Sequence, residues 1–213
     1  MVNLMLPPAI PIFPLPNVVL FPHVFLPLHI FEPRYRAMVE DALAGDRIIG
    51  MVLLRPGWEE FYEHRPAIYP IGCAGLITHS ERLPDGRFNI VLRGLEKFRV
   101  LSESHERAYR LARVETIAET LAAEERPLVS VERRRLEAMV APGNDTPIPD
   151  RALPKGMPDE DLVNGLAQYL ELEPLEKQAL LERDGLVSRC RSLIELLEIK
   201  QILTNKRWSE GVH

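Results

Sequence analysis

Cysteine is almost missing from this chain: Cys73 and Cys190 are its two among 213 residues. They form no CxxC pair, which excludes a disulfide framework and a thiolate zinc site, and a reducing compartment is the simplest inference. Lysine is scarce too, confined to Lys97, Lys155, Lys177, Lys200 and Lys206. With 26 Lys and Arg against 31 Asp and Glu, the formal net charge is −5. That sign argues against a general nucleic-acid binder, whose phosphate contacts need a basic surface. No apolar run approaches the roughly 20 residues of a membrane helix. Met1-Val2-Asn3-Leu4-Met5-Leu6 carries no basic leader before Pro7-Pro8, so a cytoplasmic protein with no membrane partner is expected.

The motifs of catalysis are also lacking. Gly45-Asp46-Arg47-Ile48-Ile49-Gly50 has glycines at phosphate-loop spacing, but Met51-Val52 stand where Lys and Ser or Thr are required. There is no Gly-x-Ser-x-Gly elbow and no His-Glu-x-x-His zinc helix. The six histidines are scattered, and Ser188 and Lys200 lie 12 helical residues apart, about 18 Å. The expectation is no cofactor, no metal, no ATP hydrolysis and no peptidase activity.

What is present is a core and many breakers. Hydrophobic residues make up 46% of the chain, and prolines number 19. Ile10-Pro11-Ile12-Phe13-Pro14-Leu15-Pro16-Asn17-Val18-Val19-Leu20-Phe21-Pro22 reads as short extended pieces, because proline fixes φ and removes a donor. Tyr35, Met38, Val39, Ala42 and Leu43 have the spacing of a helix burying one face, with Pro33 in its first turn and Gly45 left-handed just past its end. Strands are expected at 48–54, 71–79, 88–92, 98–101 and 109–117, with turns at Leu83-Pro84-Asp85-Gly86 and Gly94-Leu95-Glu96. The segment 58–63 reads as a loop. Short strands between Gly and Pro turns, with one early helix, predict a small closed or half-closed barrel.

Beyond residue 124 the period becomes helical. Leu128, Val131, Leu136, Met139 and Val140 define one apolar stripe, with Arg133-Arg134-Arg135 on a solvated face. Leu162, Val163, Leu166, Ala167 and Leu170 define a second, opened by Asp159-Glu160-Asp161 at the positive helix end. Pro174 starts a third helix, ending near Gly185. Ser188 is expected to cap a last one that buries Cys190, Leu193, Ile194, Leu197, Ile199, Ile202 and Leu203. The connection 141–158, with five prolines and two glycines, is expected to be the most mobile internal segment.

An ordered series then stands out: Ile12-Phe13-Pro14-Leu15, Val19-Leu20-Phe21-Pro22, Leu26-Pro27-Leu28, Gly45-Asp46, Gly72-Cys73-Ala74-Gly75-Leu76-Ile77, Leu83-Pro84-Asp85-Gly86-Arg87 and Val91-Leu92-Arg93-Gly94-Leu95-Glu96-Lys97-Phe98. It resembles, in order and approximate spacing, the N-terminal substrate-recognition domain of the ATP-dependent protease Lon. The resemblance implies an α+β protein: a PUA-like N-terminal β-barrel with an inserted helix over 10–120, then a C-terminal α-helical bundle over 124–206. It also implies polypeptide recognition, as a substrate-binding or adaptor module in proteolysis or protein quality control. The implied partners are unfolded or extended polypeptides, with a protease or chaperone. Lon's ATPase and peptidase domains lie C-terminal to this region, so the resemblance brings no catalytic expectation to a chain ending at His213.

The expected contact surface is a groove between barrel and helices, or a barrel edge that accepts an added strand. Phe21, His23 and Phe25 are candidates for its wall, with Arg34 and Arg36 at the start of the early helix. The alternative is a PUA-like RNA-binding module, which needs clustered cations with aromatic platforms and is disfavoured by the acidic balance.

Overall fold

The structure, a computed structural model, describes residues 6–61, 65–104, 106–141 and 156–210. The expected mobility of 141–158 falls mostly outside these residues. Among them the elements run β1 (Ala9–Leu15), β2 (Phe25–Ile30), α1 (Pro33–Ala44), β3 (Ile48–Leu53), a 3-10 turn (Trp58–Phe61), β4 (Ile71–Arg82), β5 (Phe88–Ser104) and β6 (Arg110–Ile117). The helices α2 (Arg126–Met139), α3 (Asp159–Tyr169), α4 (Pro174–Leu181) and α5 (Gly185–Glu210) follow.

The strands form one mixed sheet in the order β2-β5-β4-β3-β1-β6, and a further β5–β6 pairing curls it into a partial barrel. Strand β5 is long enough to serve two neighbours on one side. Its first part pairs with β2, from Ile30↔Phe88 to Phe25↔Arg93, and its second with β6, from Lys97↔Ile117 to Ser104↔Leu111. Strand β2 therefore remains outside the closure, with one open edge.

Strand β1 lies between two neighbours despite Pro11 and Pro14, where the proline content predicted only short extended pieces. Backbone parity explains how. Leu15 accepts from the Leu54 N–H on the β3 side, and Pro8 accepts from the Val114 N–H on the β6 side, so odd positions face β3 and even positions face β6. The β6 pairing covers 9–12 and the β3 pairing covers 12–15. Pro11 thus turns its missing donor toward β3 before that pairing begins. Pro14 turns its own toward β6 after that pairing has ended. Neither proline removes a ladder hydrogen bond.

Two glycines answer to close approach. A Cβ on Gly72 would stand 2.3 Å from the Met51 carbonyl oxygen, and one on Gly94 would stand 2.0 Å from that of Phe21. The turn expected at Gly94-Leu95-Glu96 is absent, since β5 runs straight through it. Gly94 is required by the chain crossing above it. Gly45 is likewise not left-handed, at φ −118°. Arg47 takes that conformation instead, at φ 60°, with its N–H donating to the Ala42 carbonyl.

The helix faces are partly displaced from expectation. In α2 the buried residues are Val129 and Leu136, seven apart and on one face, whereas Leu128 and Val131 are exposed. Helix α5 starts at Gly185, so Ser188 lies inside it, and Ile199, Ile202 and Leu203 are exposed. Arg133 is no solvated residue: it bonds Glu137, the Met157 carbonyl and Asp159, clamping α2 to the start of α3. A single buried cluster runs from Phe13, Phe21 and Met38 of the sheet side through Val129, Leu166, Leu180 and Ile194 of the helices.

Candidate functional site

The stretch 21–25 is where sheet and helices meet. Phe21 is wholly buried, so this wall candidate belongs to the core. Its amide donates to Gln168 Oε1 at 3.2 Å. His23 adopts φ 68°, which lets its N–H reach the Gly94 carbonyl at 2.9 Å while the Gly94 N–H donates to the Val24 carbonyl at 2.8 Å. The His23 ring lies 3.2 Å from the Asp161 carboxylate. The Tyr169 hydroxyl donates to the Phe25 carbonyl at 2.9 Å. Asp161, Gln168 and Tyr169 fall on one side of α3, so that helix is seated along the stretch by three polar contacts.

From Phe25 the chain becomes the open-edge strand. Phe25, Pro27 and His29 alternate with more buried neighbours and form one outward row, continued by Phe31. Phe25, Phe31 and Tyr169 are 49%, 60% and 65% exposed, which is unusual for rings of this size. His29 is held in the row from both nitrogens. Arg87 can only donate, so Nε2 accepts from it at 3.2 Å, and the proton on Nδ1 goes to Asn89 Oδ1 at 2.8 Å. The ring then stacks on Phe31 with centroids 6.3 Å apart. The row spans about 20 Å at the rise of an extended strand. The edge itself is poor in free main-chain groups, because Pro27 has no N–H to donate and the Phe25 carbonyl already accepts from Tyr169.

The row runs into a cleft. Phe31 is followed by Glu32, Pro33 and Arg34, which line a cavity of about 740 Å³ with Pro14, Tyr35, Leu54, Arg65, Pro66, Tyr109 and Arg110. Arg34 donates to Glu32 at 2.9 Å and lies over the Tyr35 ring at 4.7 Å. Arg110 makes a two-pronged pair with Glu103 and donates to the Pro66 carbonyl. Tyr109 bonds Asp41 at 2.7 Å; burial, reinforced by that carboxylate, pushes its hydroxyl pKa up to about 12. Arg36 goes elsewhere. Its guanidinium packs under Gly86 of the β4–β5 turn, and its Nε is buried without a hydrogen-bond partner. The five candidates therefore fall into four settings: His23 and Phe25 on the α3 junction, Arg34 in the cleft, Phe21 in the core, and Arg36 half-buried against the β4–β5 turn.

A charged group that sequence reading missed lies behind the junction. Arg189, fully buried on α5, donates twice to Glu119 at 2.6 and 2.8 Å, to Asn164 Oδ1 and to the Leu180 carbonyl. Lys97 adds a 2.6 Å contact to Glu119 and donates to the Arg183 carbonyl. Burial pulls the Glu119 carboxyl up, but Arg189 and Lys97 outweigh it and hold it below the ordinary range. Burial lowers the Lys97 pKa despite its partner. Both cysteines are free and buried, and burial pushes Cys190 up to about 12 and Cys73 well above its ordinary value, so neither is an activated thiol. Among the described residues no cluster of His, Cys, Asp and Glu could hold a metal, and no helix is long and apolar enough to cross a membrane.

Comparison with known proteins adds a family to this geometry. The family model for the ATP-dependent protease La (LON) substrate-binding domain matches residues 9–198. The Lon protease of Dictyoglomus thermophilum is 34% identical over 114 residues, covering 54% of this chain and 14% of that protein. Lon protease 2 of Myxococcus xanthus is 28% identical over 204 residues, covering 92% of this chain and 24% of that protein. The chain thus spans a quarter or less of the length of these relatives. In fold it is similar to the Lon N-terminal domain protein from Xanthomonas campestris, with a TM-score of 0.59, 24% identity and coverage of 88% of this chain and 97% of that one. The N-terminal domain of Mycobacterium avium complex Lon protease gives a TM-score of 0.62 at 18% identity, covering 89% and 98%.

Proposed function

The chain belongs to the family of the Lon protease substrate-binding domain, and from that membership we propose that it is a non-catalytic module that holds extended polypeptide segments for proteolysis or quality control. The observation that carries the reading is the exposed aromatic row of Phe25, Phe31 and Tyr169 with Pro27 between, beside a strand edge poor in free main-chain groups. A contiguous apolar surface rimmed by polar groups is a binding surface more often than an accident. The rim here is Arg87, Asn89 and Glu81, already hydrogen-bonded among themselves and to His29. Such a surface takes apolar side chains of a bound segment in any of several sequences. The edge adds few main-chain bonds, so side-chain burial supplies most of the affinity. Ordering a flexible ligand costs several kcal/mol, which places affinities near micromolar.

The test is titration of an unfolded model protein onto the parent and onto a Phe25→Ser, Phe31→Ser double variant. Both rings are exposed, so the unfolding midpoint stays near that of the parent. Removing two aromatic anchors is expected to weaken binding about tenfold or more. Equal affinity in the folded variant would move the surface elsewhere; a parent that binds nothing would refute polypeptide holding.

A further inference from the structure

Resting on that reading and naming its ligand further, we infer that the cleft at the end of the aromatic row is a selectivity pocket for an acidic side chain of the held polypeptide, with Arg65 as the residue that receives the carboxylate.

The cleft exists because two strands part. Strand β6 begins at Arg110, opposite Ile12, and the chain reaches it from the end of β5, so beyond Ile12 the β6-facing side of β1 has no paired strand and borders open space. The parity that spares the ladder also sets the chemistry here: Pro14 turns its carbonyl to this side and has no N–H. The edge therefore accepts main-chain donors and supplies none. Capture of a terminal carboxylate needs a nest of backbone N–H groups, which a proline edge does not provide. An internal segment with a side-chain anion fits instead.

The side-chain charges are nearly, but not wholly, balanced. Arg34 is paired with Glu32, and Arg110 is matched on both prongs by Glu103. Asp41, at the side, is taken by Tyr109 and Arg107. Arg65, partly exposed, donates from Nη1 to the Ser104 carbonyl at 2.9 Å and has no carboxylate partner among the described residues. Among the described residues one positive charge is left over in a cavity walled by Pro14, Tyr35, Pro66 and Tyr109. A guanidinium fixed by one carbonyl still presents donors in a planar fork, the geometry that suits a carboxylate. The cleft follows the aromatic row directly in the chain, through Phe31 and Glu32. An extended segment lying on the row thus carries its next side chains into it.

The experiment uses the full chain and two acetylated, amidated peptides of one apolar extended sequence, differing by a single Glu or Gln near one end. Fluorescence anisotropy on the parent is expected to give the Glu peptide roughly threefold to tenfold tighter binding, a difference that shrinks as salt is raised. Arg65→Gln should abolish the preference while leaving affinity for the Gln peptide unchanged, and Arg65→Lys should retain part of it. Equal binding of both peptides by the parent, or a preference that survives in folded Arg65→Gln, would overturn the assignment while leaving polypeptide holding intact. Binding of neither peptide, or of single-stranded RNA alone, would overturn both.

Discussion

Arg189 is the bulkiest wholly buried side chain among the described residues, and its charge is matched by Glu119 alone among carboxylates in hydrogen-bond contact with it. Removing one member of a buried ion pair leaves the other uncompensated in a low dielectric. Glu119→Ala should therefore cost about 3–5 kcal/mol of stability in denaturant unfolding; a loss below about 1 kcal/mol would show the group to be better hydrated than its geometry indicates. The pH dependence follows from the same carboxylate. Its pKa is lower folded than unfolded, so its contribution is complete above the ordinary carboxylate value and is lost as pH falls through the depressed one. Glu119→Gln should flatten that part of the acid limb. The signal for this group was present in the chain, since Arg189 occupies an apolar-stripe position between Leu186 and Leu193. Its partners at 97 and 119 could not be read, because only folding brings those three positions together.

Among elements, the stretch 21–25 shows how one glycine on a neighbouring strand sets the position of the proposed binding surface. With the Phe21 carbonyl so near the Gly94 Cα, Gly94→Ala forces backbone against backbone. Overpacking of this kind costs about 1–3 kcal/mol, and here it should also displace Phe25 and weaken polypeptide binding. An unchanged unfolding midpoint, measured by circular dichroism, would contradict the crossing. The strands themselves were legible from alternation at Phe88, Ile90 and Leu92 and from the Leu83–Gly86 turn. Gly94 was read as a turn because a glycine admitting a turn and one admitting a close neighbour look alike in sequence. The apolar stripe of α2 misled similarly: Leu128 and Val131 keep helical spacing, yet the partner helix covers the line through Val129 and Leu136. Phe31 and Tyr169 drew no attention as site residues, since an aromatic in an apolar chain reads as core; their exposure is a property of the unpaired β2 edge.

The molecule as a whole places its aromatic row and its arginine cleft on the rim of a partial barrel, with α3 fastened beside them by His23, Phe21 and Phe25. Core and helices share one buried cluster, so the row is held on a firm support while its own side chains stay open to a ligand. The central claim is that this surface takes polypeptide only in extended form. The most direct measurement is a calorimetric titration of the full chain with one test protein in two states, native and permanently unfolded by reduction and carboxymethylation. Saturable binding of the unfolded state in the micromolar range, with none of the native state, is the result predicted. Equal binding of both states, or of neither, would contradict it.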